Sequence, residues 1–236
     1  MIDHRAVERA AGGLLILVVV AFGISIATFV QFDVDREEIR ASLNAVNADR
    51  EMYAFSWFGT LLGGMLLAPT AGALYLVFRL HDRSLAIWGL TGLLAASVAF
   101  IAATGSFFGI YFLADDFAQT GGEHAASIVS VARAIGFAGY TAWAGGMTLA
   151  GSGVLSIGLL IARDRRMPTP LGLWAVAGGA TMLLGWSVVT PLPQALDDVR
   201  RYGYYVTAGG ATGTLAFFVA LAWWLLAKGT PSARIR

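Results

Sequence analysis

Between Arg133 and Arg163 the chain passes through 29 residues, Ala134 to Ala162, without one charged side chain. A bilayer core is roughly 30 Å thick and takes about 20 apolar helical residues to cross. A run this long therefore reads as a membrane span with length to spare. Glycines stand within it at 136, 139, 145, 146, 151, 153 and 158, and Tyr140 and Trp143 lie near its start. Arg133 marks one end and Arg163-Asp164-Arg165-Arg166 the other.

The rest of the chain repeats the pattern. Only 13% of its residues are charged, against roughly 25% in a soluble domain, and the charges sit in short clusters between long empty runs. Six runs qualify as spans: Ala10–Phe32, Met52–Phe78, Ser84–Ala114, Ala134–Ala162, Met167–Leu196 and Tyr202–Ala227. The fold expected is a single all-α domain, a polytopic bundle of six transmembrane helices. Several runs exceed a straight crossing, so tilt or extension past the headgroups follows.

Six spans place both ends of the chain on one side of the membrane. The N-terminal segment, the turns at 79–83 and 163–170 and the C-terminal segment hold ten of the sixteen Lys and Arg residues. The remaining loops hold six of them and eleven of the fifteen acidic residues. Basic loops stay in the cytoplasm, so both termini are expected there. The first run has the positive start and apolar middle of a signal peptide, but reaching Phe32 it is long enough to span, and it is read as a span.

The first external loop, Asp33–Glu51, carries a second pattern. Asp35 with Glu38 three residues on has capping-box spacing, and Ile39, Leu43 and Val46 recur at helical intervals. A short amphipathic helix over Asp35–Asn47 is expected on the outer surface, packed on the span ends or roofing the bundle. The pairs Gly59/Gly63, Gly105/Gly109 and Gly209/Gly213 have the spacing that lets helices approach closely, here for internal packing. Pro69 should free the carbonyl of Met65 and kink its helix. Thr169-Pro170 suits a helix start, threonine as cap and proline in the first turn. The stretch Asp115–Ser130 reads as a third, polar external loop whose helical pattern begins at Ala125, and Thr190-Pro191-Leu192-Pro193 closes the fifth span.

What the chain omits limits its chemistry. No Asp, Glu, Lys, Arg or His stands at the centre of any run. Proton relays, coupled carriers and charged gates need such groups there, and a haem held between helices needs paired intramembrane histidines. Hydroxyls such as Thr104, Thr148, Ser152, Thr181 and Thr212 remain, and helices usually spend these on their own carbonyls. Cysteine is absent, which excludes disulfides and thiolate sites. No metalloprotease or nucleophile-elbow motif occurs among the three histidines, His4, His81 and His124. An external acid/base or metal cluster has one candidate set: His124, Asp115, Asp116 and Arg133, beside Glu123. The plainer account is a polar loop in which Arg133 pairs with an aspartate. No cofactor, resident metal or nucleic-acid partner is expected.

Aromatic residues gather toward the outer ends of the spans. An interfacial belt accounts for most of them, because amphipathic rings prefer headgroup depth. The sharper reading is a greasy cavity in the outer half, lined by Trp57, Phe108, Tyr111, Tyr140, Trp143, Trp186 and Tyr205, that receives a lipid or other apolar small molecule.

The order of features also resembles a known family. Arg5 and Arg9-Ala10-Ala11-Gly12 lead into the first span, a long helix-bearing loop follows, and a basic turn with His81-Asp82 joins spans two and three. Then come Pro170-Leu171-Gly172-Leu173-Trp174 and a closing Ala222-Trp223-Trp224-Leu225-Leu226-Ala227-Lys228-Gly229. Together they resemble the six-span prokaryotic integral membrane proteins of domain-of-unknown-function family 4386, over nearly the whole chain. The resemblance implies a multi-pass protein of a prokaryotic plasma membrane and supplies no chemistry. The function expected is non-enzymatic, with membrane lipids as partners. The alternatives are a permease for an uncharged or apolar solute and a membrane enzyme working through the external His/Asp/Arg set.

Overall fold

The computed structural model describes residues 4–29, 38–164, 167–185, 187 and 197–228, leaving aside the side chains of 29, 197–204 and 207. Seven helices and no strand occur among them: α1 (His4–Phe29), α2 (Ile39–Ala48), α3 (Arg50–Phe78), α4 (Arg83–Gln119), α5 (Gly122–Arg163), α6 (Thr169–Leu184) and α7 (Asp197–Ala227). Five contain apolar stretches long enough to cross a membrane, in α1, α3, α4, α5 and α7. α6 is apolar but has 16 residues, so the expected span Met167–Leu196 is met as a regular helix only to Leu184. Trp186 and the closing Thr190–Pro193 lie outside the described residues, as does Asp35; Glu38, expected inside a helix that Asp35 caps, is instead the N-cap of α2, and no side chain caps that helix.

Apart from α2, the helices pack in chain order around a ring, α1 on α3, α3 on α4, α4 on α5, α5 on α6 and α6 on α7, and α7 returns to α1. The ring has two ends. The base carries the start of α1, the turns α3–α4 and α5–α6, and the end of α7; the cap end carries α2.

Glycine sets how closely the ring closes. Lipid tails are as apolar as leucine, so helices in a bilayer associate by close packing. On α5, Gly139, Gly146 and Gly153 face α4: a Cβ there would meet Ser106 Cβ at 2.9 Å, Phe100 Cδ1 at 3.0 Å and Leu93 Cγ at 2.9 Å. A second line, Gly151 and Gly158, faces Gly179 and Gly172 of α6, where the obstacle is backbone. Every interval within these lines is seven residues. That period keeps two helices in register at a shallow crossing.

Two details of local structure differ from the sequence reading. The loop Asp115–Ser130 is helical except at Thr120 and Gly121, since α4 runs to Gln119 and α5 starts at Gly122 with a φ of 63° that glycine accepts. At about 1.5 Å per residue these helices reach about 55 and 63 Å, well beyond a bilayer. They stay helical there because Ala114, Ile128 and Ala132 remain buried against one another and α2. At the start of α6, Pro168 is the N-cap and no side chain caps the helix, so Thr169 is helical and not a cap. α3 stays helical through Pro69.

Hydroxyls are spent much as expected. Thr104, Ser152, Thr181 and Thr212 donate to carbonyls of their own helices. A few cross between helices: Ser25 Oγ lies 2.6 Å from Thr60 Oγ1, and Ser97 Oγ donates to the Gly64 carbonyl at 2.6 Å.

At the base, α1 starts before its apolar run, which brings charged residues into the bundle. Arg5 Nη1 donates to the Leu225 carbonyl and Nη2 to that of Leu226, each at 3.0 Å, and Nη1 also reaches Glu8 Oε2 at 3.1 Å. The last carbonyls of a helix lack intrahelical partners and carry partial negative charge, so this guanidinium closes the ring by capping α7 from α1. Glu8 is only 2% exposed. Hydrogen bonds to charged groups contribute about 1.5–3 kcal/mol each. Arg5→Ala, which leaves Glu8 buried without this partner, is expected to cost about 2–3 kcal/mol, read as a lower thermal unfolding midpoint in detergent.

Candidate functional site at the cap end

The described interior holds two apolar clusters. The base cluster draws on α1, α3, α4, α5, α6 and α7 and fully buries Phe78, Leu93, Ile161, Phe217, Leu221 and Leu225. The cap-end cluster is made by Ile39, Leu43 and Val46 of α2, Tyr53 and Trp57 of α3, Ala103, Phe107, Ile110 and Ala114 of α4, and Ile128 and Ala132 of α5. The three predicted apolar residues of α2 therefore point inward. The helix lies mainly on α4, as well as on its chain neighbour α3 and on α5.

Below α2 the aromatic side chains stack. The Trp57 ring lies on Phe107 with centroids 3.8 Å apart and planes 10° from parallel. Tyr53, one turn earlier, meets Trp57 edge-on at 6.3 Å, and its hydroxyl donates to the Phe107 carbonyl at 3.2 Å. Arg50, one turn earlier again, holds Asp115 Oδ1 at 2.5 Å from Nη1, with its guanidinium carbon 4.4 Å from the centre of the Tyr111 ring. Positions 50, 53 and 57 share one face of α3. A single helical stripe thus supplies a cation, a phenol and an indole to the end of α4.

The proposed site residues separate accordingly. Trp57 is buried, Phe108, Tyr111, Tyr140 and Trp143 are half-buried, and Tyr205 is exposed; Trp186 is outside the described residues. Trp57, Phe108, Tyr111 and Trp143 belong to or pack on the cap-end cluster, and Tyr140 and Trp143 pack on the base cluster. Among the described residues, Trp143 packs on both clusters. Phe55, Phe58, Phe112 and Phe137 face outward, more than half exposed, as rings of an interfacial belt do.

The polar candidates are not gathered. Asp115 pairs with Arg50 and not with Arg133, while Asp116, His124 and Arg133 are exposed and form no ion pair with one another among the described residues. Nor do three or more His, Asp or Glu residues come together there in a way that could hold a metal. Arg50 has no site role in the sequence reading, and Tyr53 and Phe107 enter it only among the outer-end aromatic rings. For Arg50 and Tyr53 the signal is the spacing of 50, 53 and 57 on one helical face; Phe107, on α4, has no signal of that kind.

Long apolar helices packed side by side through small residues define the class: a polytopic helical membrane protein. Within that class, residues 10–229 match the family described as "Domain of unknown function (DUF4386)", and the chain belongs to it. No curated protein and no solved structure matches the chain significantly.

Proposed function

We propose that the chain is a non-catalytic, six-span protein of a prokaryotic plasma membrane, with both termini cytoplasmic. In this reading it holds a lipid or other apolar small molecule in its cap-end half, beside Tyr140 and Trp143. The observation that carries the reading is the place of two amphipathic rings just above a closed base. Residues of all six ring helices close the base, and toward the cap end the half-buried Tyr140 and Trp143, one turn apart on α5, lie against that closed base, with Trp143 packing on the cap-end cluster as well. A permease would have to part the base cluster during each cycle. Binding without passage asks for no such movement, which favours a holder over a carrier.

The test is native mass spectrometry of protein released from mild detergent. A retained apolar adduct is expected, and Trp143→Ala should reduce its occupancy severalfold. A wild-type chain that sheds every adduct, or a variant that retains it in full, would overturn the ligand reading.

A further inference from the structure

A separate feature lies at the base, far from Trp143. Between α3, α4 and α5 runs a crevice lined by Ala71, Leu74, Tyr75, Phe78, Ala86, Gly89, Leu90, Ile157 and Leu160. Its empty volume is about 190 Å³, part of it open to the surroundings. It is therefore a surface slot. Tyr75 and Leu90 are its half-exposed members and the others are buried, so it opens past those two side chains. The Tyr75 hydroxyl makes no hydrogen bond among the described residues, and the other lining side chains are apolar.

The slot ends at the α3–α4 turn. Arg79 lies one turn beyond Tyr75, its N–H still bonded to the Tyr75 carbonyl at 2.8 Å. Arg83 lies two turns before Leu90. By helical spacing each arginine shares a face with a residue at the slot's mouth. Both are exposed, and neither makes an ion pair among the described residues. The anionic side chains nearby are already engaged. Asp164 Oδ2 lies 2.9 Å from His81 Nε2, and Asp82 Oδ2 lies 3.7 Å from Arg163 Nη1. Asp82 Oδ1 also accepts the N–H groups of Ser84 and Leu85 at the start of α4.

We infer that this slot binds an anionic phospholipid of the leaflet that faces the α3–α4 turn. One acyl chain lies along Leu74, Gly89 and Leu90, and the phosphate sits between Arg79 and Arg83. Charge complementarity selects the headgroup: two uncompensated guanidinium groups stand at the mouth of an apolar slot, with an unused phenol a turn deeper. Arginine suits phosphate because its planar fork presents paired donors.

The experiment uses the full chain in micelles holding equimolar phosphatidylglycerol and phosphatidylcholine, and native mass spectrometry reads the ratio of the two bound lipids. A preference of roughly twenty-five-fold for phosphatidylglycerol is expected, since each of the two arginines near the surface adds about a fivefold bias. The double variant Arg79→Gln/Arg83→Gln should bring the ratio close to parity. Arg163→Gln should keep most of the preference, because that cation is occupied by Asp82. Leu90→Trp, which fills the mouth without changing charge, should reduce bound phosphatidylglycerol, and excess inorganic phosphate should leave it in place. Trp143→Ala should not alter the ratio, which separates this site from the cap-end one. No preference in the wild type, a preference surviving the double variant, an equal loss with Arg163→Gln, unchanged occupancy with Leu90→Trp, or displacement by phosphate alone would each overturn the assignment.

Discussion

Gly158→Leu is expected to yield no stably folded protein. A Cβ at this position would stand 2.6 Å from the Val176 backbone nitrogen and 2.8 Å from the Gly172 carbonyl oxygen. Neither obstacle is a side chain that could swing away, so α5 and α6 would have to separate along the whole contact. The same holds one heptad away, where a Cβ on Gly151 would meet the Gly179 carbonyl at 2.7 Å. Overpacking of flexible cores costs about 1–3 kcal/mol. Against immovable backbone we expect about 3 kcal/mol or more, a large share of the roughly 5–15 kcal/mol that holds a domain folded. Size-exclusion chromatography and thermal unfolding in detergent would show it as aggregation or a much lower midpoint. Gly145→Ala, on the same helix, is the control. Nothing stands within 4 Å of its Cβ position, and replacing a mid-helix glycine by alanine gains up to about 1 kcal/mol. Equal behaviour of the two variants would refute the close α5–α6 contact.

Much of this architecture was legible because lipid restricts a chain so severely. Charge-free runs located the long helices, and the spacing of Ile39, Leu43 and Val46 located the inward face of α2. The glycine spacing is legible only in part. Of the pairs four apart, one packs closely: a Cβ on Gly59 would meet the Ala21 carbonyl at 2.8 Å, and one on Gly63 the Phe22 ring at 2.8 Å. Gly105 and Gly209 have nothing within 4 Å. The lines that join α4, α5 and α6 repeat every seven residues instead, the period of shallow crossings, and that period stood in the sequence at 139, 146 and 153. The contacts of Arg5 and Arg50 were of another kind. Arg5 meets a carbonyl 220 residues away and Arg50 an aspartate 65 residues away. Residue type tells that an arginine needs an anionic or carbonyl partner. It does not tell which one the rotation of distant helices will bring within reach.

Leu43→Asp should release α2 from the bundle while leaving the base intact. Leu43 is 1% exposed in the middle of the cap-end cluster. Losing a buried leucine costs about 2–5 kcal/mol, and a carboxylate in its place must either be desolvated or leave. Leaving is the cheaper course, because a ten-residue helix contributes nothing to the base cluster and is held chiefly through its one apolar face. Backbone amides of Ile39–Ala48 are therefore expected to exchange with solvent about a hundredfold faster or more, since local opening sets their protection. Amides of α5 beyond Met147 should exchange as before, because they belong to the other cluster. Asn44→Asp, one position along on the exposed face, adds the same charge and should leave both regions unchanged. Hydrogen–deuterium exchange on the three proteins separates the outcomes. Faster exchange throughout α5 in Leu43→Asp would mean that the cap and base form one cooperative unit. In that case the reading of a closed base beneath a separable cap, on which the proposed cap-end ligand site depends, would have to be given up.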